Sequence, residues 1–217
     1  MLLESPRRSK GFLLVKSDVL PFGDFIILPR PYDIGINILT FELMKSIANN
    51  TLTTVMLFMV GSYFIVIPAM VLYLFLKKDD NLYPLIIAGV SLFIITDIII
   101  KPIVGELRPC EISSLSWIQH SGCSALDKYS FPSGHATVLT GLPIFLENYR
   151  VLQILYIAWM LLSLFSKLYL GLHYLTDIIA GAIISIILSY AIHAYKTQIN
   201  SFVDGLMGKI FKNGIIG

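Results

Sequence analysis

Five long apolar runs dominate this chain, and they leave it few folds. Leu52–Leu76 is apolar throughout and is stopped by Lys77-Lys78-Asp79-Asp80. Tyr83–Val104 follows, with Asp97 and Lys101 near its far end, and then His135–Tyr149, Val151–Gly171 and Tyr174–Tyr195. A stretch of roughly 20 apolar residues crosses the roughly 30 Å hydrocarbon core of a bilayer as a helix, the form that satisfies every backbone N–H and C=O inside one segment. Apolar residues make up 56% of the chain against 14% charged, a balance far from that of a soluble globule. The expected fold class is therefore an all-α integral membrane helical bundle, with five transmembrane spans plus an N-terminal interfacial helix.

Three regions follow from this pattern. Residues 1–32 form an N-terminal extension, residues 33–195 the membrane domain with spans at about 52–76, 83–104, 135–149, 151–171 and 174–195, and residues 196–217 an amphipathic tail. Within Asp33–Asn49, Ile36, Ile38, Leu39, Leu43 and Ile47 alternate with Glu42 and Lys45, a pattern suited to a helix lying in the interface. Met1–Lys10 is basic, but the stretch after it is broken by Lys16, Asp18, Pro21 and Asp24, so targeting is expected to reside in the spans. The net charge of +2 includes no sustained basic stripe, which excludes nucleic acid as a partner.

Short connections make successive spans antiparallel, so residues can be ranked by height above one face. Counting from the loops at Lys77–Tyr83, Arg150 and Lys196, Lys101 is 18 positions from Tyr83, His135 is 15 from Arg150, Lys167 is 17 from Arg150 and Asp177 is 19 from Lys196. At about 1.5 Å of rise per residue these four lie about 22–29 Å from the same face. Snorkelling at helix ends accounts for a lysine or two. It accounts less well for two histidines, an aspartate and an arginine at one level, since ionisable groups at such depth are costly and usually functional.

The cluster has the composition of an oxyanion site. Lys101, Arg108 and Lys167 surround Ser133 and Gly134, and phosphate is the tenant such a cradle suits best. Three cations would repel a divalent ion, which argues against His135, His173 and Asp177 as metal ligands; no metal or other cofactor is expected. His173 and Asp177 stand at i and i+4, so on a helix the carboxylate would take the proton of one ring nitrogen and leave the other nucleophilic. His135 follows Pro132-Ser133-Gly134 at the start of a span and suits a general acid.

Three motifs carry a family resemblance. Lys101-Pro-Ile-Val-Gly-Glu-Leu-Arg108-Pro109 fits K-x6-R-P, Pro132-Ser-Gly-His135 fits P-S-G-H, and Ser166-Lys-Leu-Tyr-Leu-Gly-Leu-His173-Tyr-Leu-Thr-Asp177 nearly fits S-R-x5-H-x3-D. Together, in this order, they resemble the type 2 phosphatidic acid phosphatase superfamily, specifically its small integral-membrane lipid phosphatases. The resemblance implies that His173 is the nucleophile of a phosphohistidine intermediate, that Asp177 orients it, and that His135 protonates the leaving group and later activates water. It further implies that Lys101, Arg108, Ser133, Gly134 and Lys167 hold the phosphoryl oxygens without a metal. The implied partners are the bilayer and a lipid phosphate substrate: a polyprenyl diphosphate first, phosphatidic acid or phosphatidylglycerol phosphate second. One position departs from the pattern, because Lys167 stands where the family has arginine; it keeps the charge but loses the planar fork. An anion transporter would also place cations at depth, but it gives no reason for His173 and Asp177 at helical spacing beside His135, and a non-catalytic packing protein of the membrane would need none of them.

Other features complete the expectations. Asp97, one turn before Lys101, should pair with it, and Gly181, Ser185 and Ser189 give the last span a small-residue packing face. Cys110 and Cys123 share the segment 110–131, which should overhang the site with Trp117, Ile118 and Leu115 at the headgroups or the substrate entry. In an oxidising compartment the two cysteines would form a disulfide worth about 3 kcal/mol; two free thiols are the alternative. Lys77, Lys78, Arg150, Lys196, Lys209 and Lys212 lie opposite the site, which places the cytoplasm there and the active site on the extracytoplasmic side of the cell membrane. Five spans then leave Arg7, Arg8 and Lys10 outside as well, unless Gly11–Pro29 adds a sixth crossing.

Overall fold

The computed structural model describes residues 12–14, 27–29, 34–111 and 129–212. Helices form nearly all of it. In chain order they are α1 (Gly35–Ile47), α2 (Asn50–Gly61), α3 (Tyr63–Lys77), α4 (Leu82–Phe93), α5 (Lys101–Val104), α6 (Gly134–Leu139), α7 (Arg150–Tyr169), α8 (Leu175–Ala194) and α9 (Lys196–Lys212). Two three-residue strands, β1 (Phe12–Leu14) and β2 (Ile27–Pro29), pair antiparallel. They are the described part of the stretch considered for a sixth crossing; the rest of Gly11–Pro29 lies outside the described residues.

Among the described residues, four helices are long and apolar enough to cross a membrane: Asn50–Lys77, Leu82–Val104, Arg150–Tyr169 and Leu175–Ala194. The first joins α2 and α3 through Ser62, whose hydroxyl accepts from Trp159 Nε1 at 2.9 Å. In the second, a π-helical stretch, Ile94–Ile100, links α4 to α5. The third expected span differs. Gly134–Leu146 is a short apolar helix, α6 followed by a 3-10 turn from Leu142 to Leu146, with Pro143 where regular helix would need an N–H. It is wrapped by its neighbours, with Leu139, Leu142, Phe145 and Leu146 all buried.

Burial is inverted relative to a soluble protein. Phe64, Ile65, Phe75, Leu76 and Ile187 point outward, each more than 60% exposed, as lipid-facing positions must. The interior holds a core of Leu74, Leu85, Ala88, Leu139, Phe145, Tyr156 and Met160 together with serines and threonines. The small-residue face of α8 packs closely on α6. A Cβ at Gly181 would lie 2.8 Å from Ser133 O, and Ser185 Oγ accepts from Gly141 N at 2.7 Å.

α1 has the expected amphipathic character, with Ile36, Ile38, Leu39 and Leu43 exposed for lipid. Its buried side makes a tertiary contact. Asn37 Nδ2 donates to Thr176 Oγ1 at 3.0 Å, Thr176 N donates to Asn37 Oδ1 at 3.3 Å, and Phe41 meets Tyr174 edge-on at 5.5 Å. α1 thus clamps the N-terminus of α8, next to His173.

Candidate active site

Three backbone hydrogen bonds lace the motif segments together. Ser130 N donates to Glu106 O at 2.7 Å, Cys110 N to Gly171 O at 2.9 Å, and Ser133 N to Asp177 O at 3.2 Å. Residues distant in the chain are thereby brought into one buried polar cluster, the candidate pocket, which includes Lys101, Arg108, Ser130, Ser133, Lys167, His173 and Asp177.

Each segment reaches the pocket for a local reason. α7 ends in a paired-turn cap: Gly171 N donates to Leu168 O and Leu172 N to Lys167 O, both at 3.0 Å, with Gly171 at φ 64°. That left-handed residue, natural for glycine, turns the chain out of the helix so that His173 enters the pocket from a loop. Tyr174 is the N-cap of α8, and its N–H donates to Asp177 Oδ2 at 2.9 Å, so Asp177 helps cap the helix that carries it. Across the pocket, Asp97 Oδ1 lies 2.6 Å from Lys101 Nζ, the expected pair, one turn apart in and after the π-helical stretch. π turns recur at functional sites because they shift side chains off the regular helix face. Gly134 backs directly onto this pair; a Cβ there would lie 2.9 Å from Asp97 Oδ1 and 3.3 Å from Lys101 Nζ.

Ser130 Oγ donates to Asp177 Oδ2 at 2.5 Å and lies 3.4 Å from His173 Nδ1, while the His173 Nδ1–Asp177 Oδ2 separation is 3.5 Å. Nδ1 therefore faces the carboxylate and hydroxyl, and Nε2 is the ring nitrogen left for chemistry. Burial first, then the charges of Arg108, Lys101 and Lys167, hold the His173 imidazole well below its ordinary pKa, so the ring is neutral and a free lone pair is present near pH 7. His135 Nε2 sits 3.0 Å from Lys167 Nζ, and its ring packs on Tyr63 with centroids 4.4 Å apart.

All eight expected site residues thus converge on one pocket, with Lys167 against His135. Sequence reasoning missed Ser130, Glu106 and Tyr63. Ser130 lies just ahead of P-S-G-H and Glu106 inside K-x6-R-P at an open position; Tyr63, on a different span, has no motif to mark it. Cys110 is disulfide-bonded. Cys123, Trp117, Ile118 and Leu115 lie outside the described residues.

The sequence profile of the PAP2 superfamily matches residues 82–201, more than half of the chain. The chain is similar to lipid A 4'-phosphatase of Bacteroides thetaiotaomicron, 39% identical over 92 residues, 39% of this chain and 40% of that protein. It is also similar to undecaprenyl-diphosphatase of Sulfolobus acidocaldarius, 26% identical over 153 residues, 69% of this chain and 73% of that protein. The match thus spans less than half the length of the first relative and nearly three quarters of the second. The crystal structure of LpxE from Aquifex aeolicus has the same fold, with a TM-score of 0.61 at 21% identity over 75% of this chain and 98% of that one.

Proposed function

The chain belongs to the PAP2 superfamily, and from that premise we propose that it is a metal-independent membrane lipid phosphatase working through a phosphohistidine. The observation that carries this reading is the arrangement of His173, with Nδ1 toward Asp177 and Ser130 and Nε2 available, in a pocket lined by three cations and His135. In the first step His173 Nε2 attacks phosphorus, the bond to the lipid oxygen breaks, and His135 donates a proton to the leaving oxygen. Lys101, Arg108 and Lys167, with Ser133 and Gly134, hold the phosphoryl oxygens as charge builds on them. In the second step His135 takes a proton from water, the hydroxyl attacks phosphorus, and the P–N bond breaks to release phosphate. Lys167 now touches His135 Nε2, so it must exchange that contact for a phosphoryl oxygen before His135 can act as an acid.

The substrate proposed first is a polyprenyl diphosphate, cleaved to the monophosphate. Its support is the breadth of similarity to the Sulfolobus undecaprenyl-diphosphatase, which extends over 69% of the chain. A phosphorylated glycolipid is the second reading, favoured by the higher identity to lipid A 4'-phosphatase over a shorter segment. We further propose that the site faces the extracytoplasmic side of the cell membrane, a reading supported by the bonded Cys110 and by Lys77, Lys78, Arg150 and Lys196 at the opposite end. The test is phosphate release from micellar polyprenyl diphosphate, phosphatidic acid, phosphatidylglycerol phosphate and a lipid A-type phosphate, in EDTA, with His173→Ala as control. Polyprenyl diphosphate should turn over fastest, and the alanine variant should lose at least about 1000-fold. No release from any of the four lipids would end the phosphatase reading.

A further inference from the structure

The two oxygens of Asp177 have unequal surroundings. Oδ2 receives Ser130 Oγ–H at 2.5 Å and Tyr174 N–H at 2.9 Å, and it is the oxygen nearest His173. Oδ1 is buried, and none of the usual N–H or O–H donors among the described residues reaches it. A second carboxyl, that of Glu106, lies against Asp177. The two side chains are within hydrogen-bonding reach of each other, and Glu106 Oε1 is itself buried with no conventional partner among the described residues.

Two ionised carboxylates cannot rest in hydrogen-bond contact, whereas a single proton between them converts repulsion into a bond. The surroundings decide which residue carries it. Asp177 is already solvated as an anion by two donors and sits in the first turn of α8, where the helix dipole favours negative charge. Glu106 lies in the segment after α5, and among the described residues no N–H or O–H donor reaches its Oε1. Burial, then the charge of Asp177, raise its carboxyl from the ordinary 4.5 to about 9. Arg108 and His173 are the other charged or titratable groups facing the pair, with Lys101 and Lys167 further round the pocket. The main chain of Glu106 is fixed as well, because its carbonyl accepts from N–H of Ser130, the residue whose hydroxyl serves Asp177.

We propose that Glu106 is a positioning residue of this site: as a neutral carboxylic acid it donates its proton to Asp177 Oδ1, keeping Asp177 ionised and locked in the orientation that holds His173. The kinetic consequence rests on the phosphatase reading; the shared proton does not. Glu106→Leu leaves Asp177 Oδ1 buried and bare, so kcat should fall roughly ten- to hundredfold with little change in KM. Glu106→Gln, whose amide can donate but not ionise, should recover most of that loss and should abolish the fall in kcat as pH passes about 9. Wild-type kcat and pH profile in Glu106→Leu, or Glu106→Gln as impaired as Glu106→Leu, would overturn the proposal. Infrared spectroscopy of the purified protein provides a readout independent of turnover. A protonated-carboxyl band should be present at neutral pH, vanish near pH 9 and be missing in Glu106→Gln; its absence from the wild type refutes the shared proton. A wild-type band without phosphate release from any lipid would leave the acid pair standing and the phosphatase reading refuted.

Discussion

Single residues here act through the company they keep. Lys167 delivers a point charge where the family uses a fork, and it rests on His135. Lys167→Arg should therefore raise kcat/KM about threefold by gripping two phosphoryl oxygens, measured on the best lipid of the panel. A lower kcat/KM would mean that the lysine is tuned to its contact with His135. Glu106 also links protonation to stability. Its folded-state pKa lies above the unfolded value, so the folded protein holds more protons, and the stabilisation it brings is complete below about 4.5 and lost as pH rises toward about 9. Chemical unfolding of Glu106→Gln in detergent should show that slope removed from this window.

At the scale of elements, the site is made of ends and irregularities. The π-helical stretch presents Asp97 and Lys101, the cap at Gly171 delivers His173, and the first turn of α8 carries Asp177. None of these sits in the middle of a regular helix, where a side chain points to lipid or to a neighbouring helix with little freedom. Gly171→Ala forces a Cβ into the left-handed region at φ 64°. It should cost about 1 kcal/mol in thermal unfolding and lower kcat more than KM, because the strain falls next to His173. An unchanged kcat would show that the loop can reach the same place by another turn.

For the whole molecule, the inverted burial leaves the polar cluster inside an apolar exterior among the described residues, and α1 is tied to that cluster through Asn37 and Thr176. The bonded Cys110, close to Gly171 through its backbone N–H, braces the same end. If that end faces outward, a membrane-impermeant reductant followed by an impermeant maleimide should label Cys110 in intact cells. Labelling only after the cells are opened would reverse the orientation.

The sequence by itself determined the solvent, the long spans and the grouping of the charged residues near one level. Hydropathy and helical rise are local quantities that add up along a segment, so Lys101, Lys167 and Asp177 could be placed at one depth before any contact was known. The three motifs also named the residues that converge, His135 and His173 among them. Only the tertiary structure decided how these residues touch. Asp177 reaches Glu106 and Ser130 because three backbone hydrogen bonds between distant loops bring them together. Lys167 meets His135, and Tyr63 covers it, because separate helices cross there. The short third run was likewise indistinguishable from a span by composition, since burial against protein and exposure to lipid select the same apolar side chains.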